Sequence, residues 1–374
     1  MRFWESTATL VGMIVGAGVL GLPFVIASIG VFPGMIMLLV IGGLLTLLNL
    51  MFLEVILRSK FAHQVVGYTR QYLGKWMERL EFFSILFSSY GVLLAYIIGQ
   101  GVVLSALFGM SPFIWSLIFF AIASIILYFG LNLIKVFELW MVIIFIVIIL
   151  VIFGFSSSSI NFANYQNMDL GWHKLLLAYG VMLFAFSGVE AIVPLRQILK
   201  KDEKKAKKAV LLGSLIPALI YIVFAFVVVG VTGTNTTQIA TVGLGNSIGA
   251  YMLIFGNVFA VFAMGTSFLA KGVVMRELFM FDYKLTKLWS WLLIIIIPLI
   301  VFLIGLRDFI NTISIVGGVS VGITGIVIVL LYHKAKKIGK RKPEFKMPKL
   351  KILSTVLIAM FVLGIVYTIY DLIV

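Results

Sequence analysis

A chain of 374 residues that is 62% hydrophobic and only 11% charged cannot cover itself with a surface suited to water; ordinary soluble domains are roughly 45–50% apolar and about 25% charged. The absence of cysteine excludes disulfides, thiolate metal sites and a cysteine nucleophile. A net charge of +15 would suit a nucleic-acid binder, but the placement of that charge along the chain gives it another meaning.

Eleven apolar stretches reach the length of about 20 residues that a membrane helix needs. They lie at 7–29, 33–57, 81–107, 113–131, 136–156, 173–195, 209–231, 247–270, 288–305, 309–332 and 352–373. The first is too long for the apolar core of a signal peptide and lacks a small-residue cleavage site, so it reads as a retained span. With the N-terminus in the cytoplasm, every one of the 29 Lys and Arg residues except Lys174 and Arg307 falls on the inner side, as the positive-inside rule requires. An odd number of spans then leaves the C-terminus outside. The basic surplus thus reports orientation in the cell membrane, with the lipid bilayer as partner and no nucleic acid.

The first span reads Gly12-Met-Ile-Val15-Gly16-Ala17-Gly18-Val-Leu-Gly21-Leu-Pro23. Glycine weakens helix continuity and proline removes a backbone donor, so a break is expected at mid-membrane. Such a break persists only beside a cavity or a ligand, because lipid cannot satisfy stranded backbone groups. The third span contributes Tyr96, a candidate lining residue. The inner segment between spans two and three, His63 to Arg79, reads as one amphipathic helix along the interface. Glu54, with Arg58 four residues on, suggests a structural ion pair, and Glu138 beside Lys135 reads as interfacial.

The sixth span repeats the pattern of the first: Phe184-Ala185-Phe186-Ser187-Gly188-Val189-Glu190, then Pro194. Spans one and six lie five apart, so they cross the membrane in opposite directions. Matched breaks in two inverted halves point to a substrate site at the midplane. Residues 1–156 (spans one to five) and 157–332 (spans six to ten) therefore read as inverted repeats. Residues 333–374 add a basic cytoplasmic loop and an eleventh helix. The free amides around Gly16, Ala17 and Gly18, at the positive end of a half-helix, suit a carboxylate. Unpaired carbonyls at Phe184, Ala185 and Phe186, with Ser187 and Gly188 beside them, suit an ammonium. Together they fit an α-amino acid zwitterion. Glu190, a carboxylate inside a span, is the candidate for coupling or gating. No Arg or Lys is expected near mid-membrane. The outer loop 232–246 carries no charge and suits a cap. The two basic runs, 196–208 and 334–351, read as solvated faces beside anionic headgroups. In the eighth span Ala263, Thr266 and Ser267 form a small oxygen cluster of the kind a hard monovalent cation accepts, though such hydroxyls also bond back to their own helix.

At these residues the chain resembles the amino acid/polyamine/organocation superfamily, in particular its amino acid/auxin permease and aromatic amino acid permease branches. VGAGVLGLPF at 15–24 carries most of the likeness, and FAFSGVEAIVP, GTSFLAKG, LEV, AYIIGQG and SIVGG follow in the family's order. The resemblance implies an all-α integral membrane fold of LeuT type, a five-plus-five inverted repeat with one extra C-terminal helix. It implies a symporter importing neutral or aromatic amino acids by alternating access. In members with the second sodium site, the ligating positions match Gly12, Val15, Ala263, Thr266 and Ser267 here. Sodium is thus the expected driving ion and no organic cofactor is implied. Val19 stands where an asparagine helps form the first sodium site in relatives, so at most one such ion is expected. Glu190 keeps a proton-coupled permease as the alternative. A non-transporting membrane amino acid sensor is the alternative of another class. No nucleophile–base set meets within the spans, and the chain is not expected to be an enzyme.

Overall fold

The computed structural model describes residues 2–60, 63–129, 147–148 and 151–373. It is all-helical among these. Helices α1 (Arg2–Ile14) and α2 (Gly18–Ile29) form one span bent by 55°. Then come α3 (Val31–Leu57), α4 (Val65–Leu73), α5 (Lys75–Phe108) and α6 (Pro112–Phe129). The second half runs through α7 (Trp172–Ala185), α8 (Ile192–Ile198), α9 (Ala206–Thr232), α10 (Ala240–Ile248), α11 (Ala250–Glu277) and α12 (Lys287–Leu303). It ends with α13 (Phe309–Ile315), α14 (Gly322–Ile338) and α15 (Lys351–Ile373).

Among the described residues, 8 helices are long and apolar enough to cross a membrane, or 9 with the bent pair, and α12 is a shorter apolar helix. Every expected span except the fifth coincides with one of these segments. The fifth, 136–156, and the Lys135–Glu138 pair lie largely outside the described residues. At 1.5 Å per residue the 27 residues of α3 reach about 40 Å, more than the roughly 30 Å apolar core of a bilayer. Leu211, Leu215 and Leu219, four apart along α9, are all exposed. An apolar stripe of that spacing faces lipid.

Two expectations need correction. The single interfacial helix over 63–79 is cut at Gly74, whose φ of +91° ends α4 and whose successor begins α5. A positive φ of that size is a glycine conformation, and it turns Lys75 onward into the third span. The basic run 334–351 is also more than a solvated face. Arg341 donates to the Leu57 carbonyl at 3.2 Å, its own amide reaches the Arg58 carbonyl, and Arg196 donates to the Ile56 carbonyl at 2.8 Å. These three carbonyls lie at the end of α3, where Ile56 also accepts from the Ser59 amide at 3.2 Å, so Arg196 and the Arg341 segment complete the helix end. The expected Glu54–Arg58 pair is formed at 2.7 Å and fully buried on the Glu54 side, where the Met347 amide also donates at 2.8 Å. Arg196 and Arg341 share Glu203. The basic end of the bundle is thus tied together by one polar network.

Part of the uncharged loop 232–246 folds as α10, packed against α11. Gln238 bonds Asp308 at 2.7 Å, joining that loop to the start of α13. A third irregularity interrupts the tenth span. Between α13 and α14, Val316–Val321 forms a π-helical turn. Gly317 there lies directly against the Gly180 carbonyl of α7 with no space for a side chain, so the adjacent glycines let the two backbones meet.

Candidate functional site

Both expected breaks are formed, and they face each other. In the first, the Gly16 amide bonds Ile14 at 3.0 Å rather than closing a turn onto Gly12, and the Val19 amide bonds Gly16 at 3.3 Å rather than Val15. The carbonyls of Gly12 and Val15 are thereby released from the helix ladder. The amides of Ala17 and Gly18 find no backbone acceptor among the described residues. They open α2, a 12-residue helix, with its positive end at the break. Gly16 is roomy: a Cβ there would come no nearer than 3.8 Å to any atom, and that atom is the Tyr96 hydroxyl. Gly18 is tight. A Cβ there would lie 2.7 Å from the Ala185 Cα across the gap.

The second break runs from Phe186 to Gly188, after which Val189–Ala191 makes a 3₁₀ turn leading into α8. Here the structure departs from the expectation of three unpaired carbonyls. The Ser187 amide donates to Phe184 at 3.1 Å, and the Tyr221 hydroxyl donates to Ala185 at 2.9 Å. Of the three, the Phe186 carbonyl has no backbone donor among the described residues. The Phe186 ring is buried against Gly42 and stands edge-on to Tyr221 at 5.1 Å, so it shapes the helix 3 contact. Phe184 lies 3.2 Å from the Cβ position of Gly18 and stays at the gap.

Tyr221 of α9 escaped the sequence analysis, and its position is central. Its hydroxyl reaches both Ala185 and Ile14, the latter at 2.7 Å. One proton is shared between the last carbonyls of the two half-helices, in a fully buried position. Ile14 also fills the place of a side chain on Gly188, 2.6 Å from its Cβ position. A tyrosine among apolar residues of a membrane span is unremarkable by itself; only the two broken ends give it a task.

Around this core, Tyr96 is buried, with its hydroxyl turned to Ser267. Thr266 donates to the Phe262 carbonyl at 2.8 Å and lies 3.3 Å from that of Ala263. Its proton is used within the helix, which leaves its lone pairs available. Gly12, Val15, Ala263, Thr266 and Ser267 are all half-buried, as residues flanking a crevice would be.

Glu190 is not alone. Lys271, one turn beyond Ser267 on α11, donates to both its carboxylate oxygens at 3.2 and 3.3 Å. Lys271 thus brings a basic group to the turn that follows the second break, which the expectation of no Arg or Lys near mid-membrane did not foresee. Its position just past the drawn end of span eight, in SFLAKGVV, was the available signal. Glu190 and Ser187–Gly188 line a small cavity of about 40 Å³, together with Glu81 of α5 and Thr324 of α14.

A model described as the tryptophan/tyrosine permease family matches residues 1–369. Glutamine transporter 2 of Aliivibrio fischeri is 24% identical over 348 residues, 88% of this chain and 86% of that protein. Tyrosine-specific transport system 1 of Haemophilus influenzae is 24% identical over 384 residues, 97% of this chain and 94% of that protein. Among solved structures, MhsT in complex with L-phenylalanine matches with a TM-score of 0.66 at 14% identity, covering 98% of this chain and 97% of MhsT. The inward-facing conformation of Mhp1 matches with 0.68 at 11%, covering 99% and 90%. These likenesses show the fold, a LeuT-type helical bundle.

Proposed function

This chain belongs to the tryptophan/tyrosine permease family, whose members are transporters and not enzymes, and on that premise we propose that it imports a neutral or aromatic amino acid across the cell membrane by sodium-driven alternating access. The observation that carries this reading is the facing pair of breaks. The first break holds free amides at Ala17 and Gly18, and the second, which meets it where Gly18 faces Ala185, holds the free Phe186 carbonyl, so both ends of a zwitterion have a backbone partner without a charged side chain. The relatives named for tyrosine and glutamine, and the MhsT complex with phenylalanine, support an uncharged side chain on the substrate. Tyr96 and Phe184 favour a bulky one. The basic end of the bundle faces the cytoplasm in this reading, and residues 1–156 and 157–332 act as the two inverted repeats.

The residues fit a sodium ion. The released carbonyls of Gly12 and Val15, the Ala263 carbonyl and the hydroxyls of Thr266 and Ser267 would hold it, an all-oxygen set suited to a hard cation. The ion would supply the driving force. One charge entering at −100 mV gains about 2.3 kcal/mol, which sustains roughly 50-fold accumulation at about 1.4 kcal/mol per decade. Replacing both Thr266 and Ser267 by alanine is expected to raise the sodium concentration needed for half-maximal uptake by at least about tenfold. Uptake in proteoliposomes across a sodium series reads this. Wild-type protein that accumulates amino acid equally well in choline would remove sodium from the account. A sensor, by contrast, would bind amino acid and accumulate none.

A further inference from the structure

Two basic runs far apart in the chain, 196–208 and 334–351, meet at one end of the bundle. Arg341 pairs with Glu203, 138 residues away, and Lys207 places its ammonium 5.2 Å from the centre of the Phe345 ring. The segment after α14 is pinned along its length. The Met347 amide donates to Glu54 at 2.8 Å, Tyr332 donates to the Pro348 carbonyl at 2.5 Å, and Lys336 donates to that carbonyl at 3.1 Å. Burial then alternates residue by residue. Pro343, Phe345 and Met347 are buried or half-buried, while Lys342, Glu344 and Lys346 are exposed. A segment held by one face presents the other.

What it presents is unbalanced charge. The two runs hold sixteen lysines and arginines but three carboxylates. All three are taken: Asp202 by Lys205 at 2.6 Å, Glu203 by Arg196 and Arg341, and Glu344 by Arg341. Glu54 is taken as well, by Arg58 and Lys336. Lys204, Lys207 and Lys208 of one run, with Lys342, Lys346 and Lys349 of the other, are exposed. None of the six has a carboxylate partner among the described residues. Like charges held side by side repel, and an anion that bridges them relieves the repulsion.

The position of the runs selects the anion. Lys207 and Lys208 lie in the first turn of α9, Lys337 in the last turn of α14, and Lys351 opens α15. Each stands at the end of a segment long and apolar enough to cross a membrane, so these lysines sit at headgroup depth, where clusters of about four to eight attract anionic lipid. Single-stranded nucleic acid would need exposed rings to stack on, and the rings here, Tyr332 and Phe345, are buried or half-buried. We propose that the two joined runs form one binding site for the phosphate headgroup of an anionic phospholipid, with lysines of both runs on the same headgroup. The site shares no residue with the two breaks or with the cavity beside them. Through Arg196 and Glu203 it is tied to the end of α8, the helix that follows the second break.

Binding is read without turnover, so the test stands apart from the transport reading. Purified full-length protein in neutral detergent is titrated with fluorescent phosphatidylglycerol and, separately, with fluorescent phosphatidylcholine. The anionic lipid is expected to bind at least about tenfold more tightly, with an advantage that shrinks as salt is added. Replacing Lys342, Lys346 and Lys349 together by glutamine leaves the pinned face untouched and is expected to weaken phosphatidylglycerol binding by at least about tenfold. Glu203→Gln is the sharper variant, because the sign of its effect separates two causes. It removes a negative charge, so a diffuse positive surface would bind the lipid more tightly, whereas a site made by joining the runs binds it more weakly. Equal affinity for the two lipids, wild-type affinity in the triple variant, or tighter binding by Glu203→Gln overturns the inference. So does tighter binding of a single-stranded oligonucleotide than of the phospholipid, which would make this a nucleic-acid surface.

Discussion

Gly18→Leu is expected to abolish amino acid uptake in protein that still inserts into the membrane, and Gly18→Ala to cut uptake by at least about tenfold. The cause is the closeness of the two breaks. A Cβ at Gly18 would sit 2.7 Å from the Ala185 Cα and 2.9 Å from its Cβ. The obstacle is backbone, which cannot rotate aside, and overpacking of this kind costs about 1–3 kcal/mol. Two other glycines serve as controls. At Gly43 nothing lies within 4 Å of the Cβ position, so Gly43→Ala should transport normally. At Gly16 a methyl group fits the fold but occupies the space facing Tyr96. Gly16→Ala should leave thermal stability intact and raise the KM by roughly tenfold. Normal KM in that variant would place the substrate somewhere other than the first break.

Tyr221→Phe carries the second large effect. Removing the hydroxyl leaves the Ala185 carbonyl without its donor in a fully buried place and leaves the Ile14 carbonyl with the Gly16 amide alone, and a buried unsatisfied group costs about 1–3 kcal/mol. The ring is kept, so its edge contact with Phe186 survives and the loss belongs to the hydrogen bonds. A lower thermal unfolding midpoint and a lower maximal uptake rate are expected together. Because one proton serves two carbonyls, the tie weakens whenever the half-helices part. An unchanged midpoint would show that Tyr221 does not hold the breaks together.

Much of the architecture was legible in composition and spacing. Long apolar runs, and glycine with proline in spans one and six, follow from what lipid does to exposed backbone. Those rules act on the chain one residue at a time, so the sequence carries them openly. What escaped depends on partners far apart in the chain. Tyr221 matters because Ile14 and Ala185 converge on it, 207 and 36 residues away. Glu81, at the drawn start of the third span, drew no reading from the sequence, because its surroundings are made by Thr324 of α14 and by the second break. Lys271 was placed in the inner loop by one residue of boundary, although its helix continues to Glu277 and turns it toward Glu190. The basic segment 334–351 has the composition of a solvated loop, yet its arginine completes the end of α3.

The most direct test of the central claim is competition for uptake by analogues that lack one end of the zwitterion. L-tyrosine should inhibit uptake of labelled tyrosine. Tyramine has no carboxylate to meet the amides of α2, and 3-(4-hydroxyphenyl)propionate has no ammonium to meet the carbonyl after α7; both should fail to inhibit. If either analogue competes as well as the amino acid, the opposed backbone ends are not what holds the substrate.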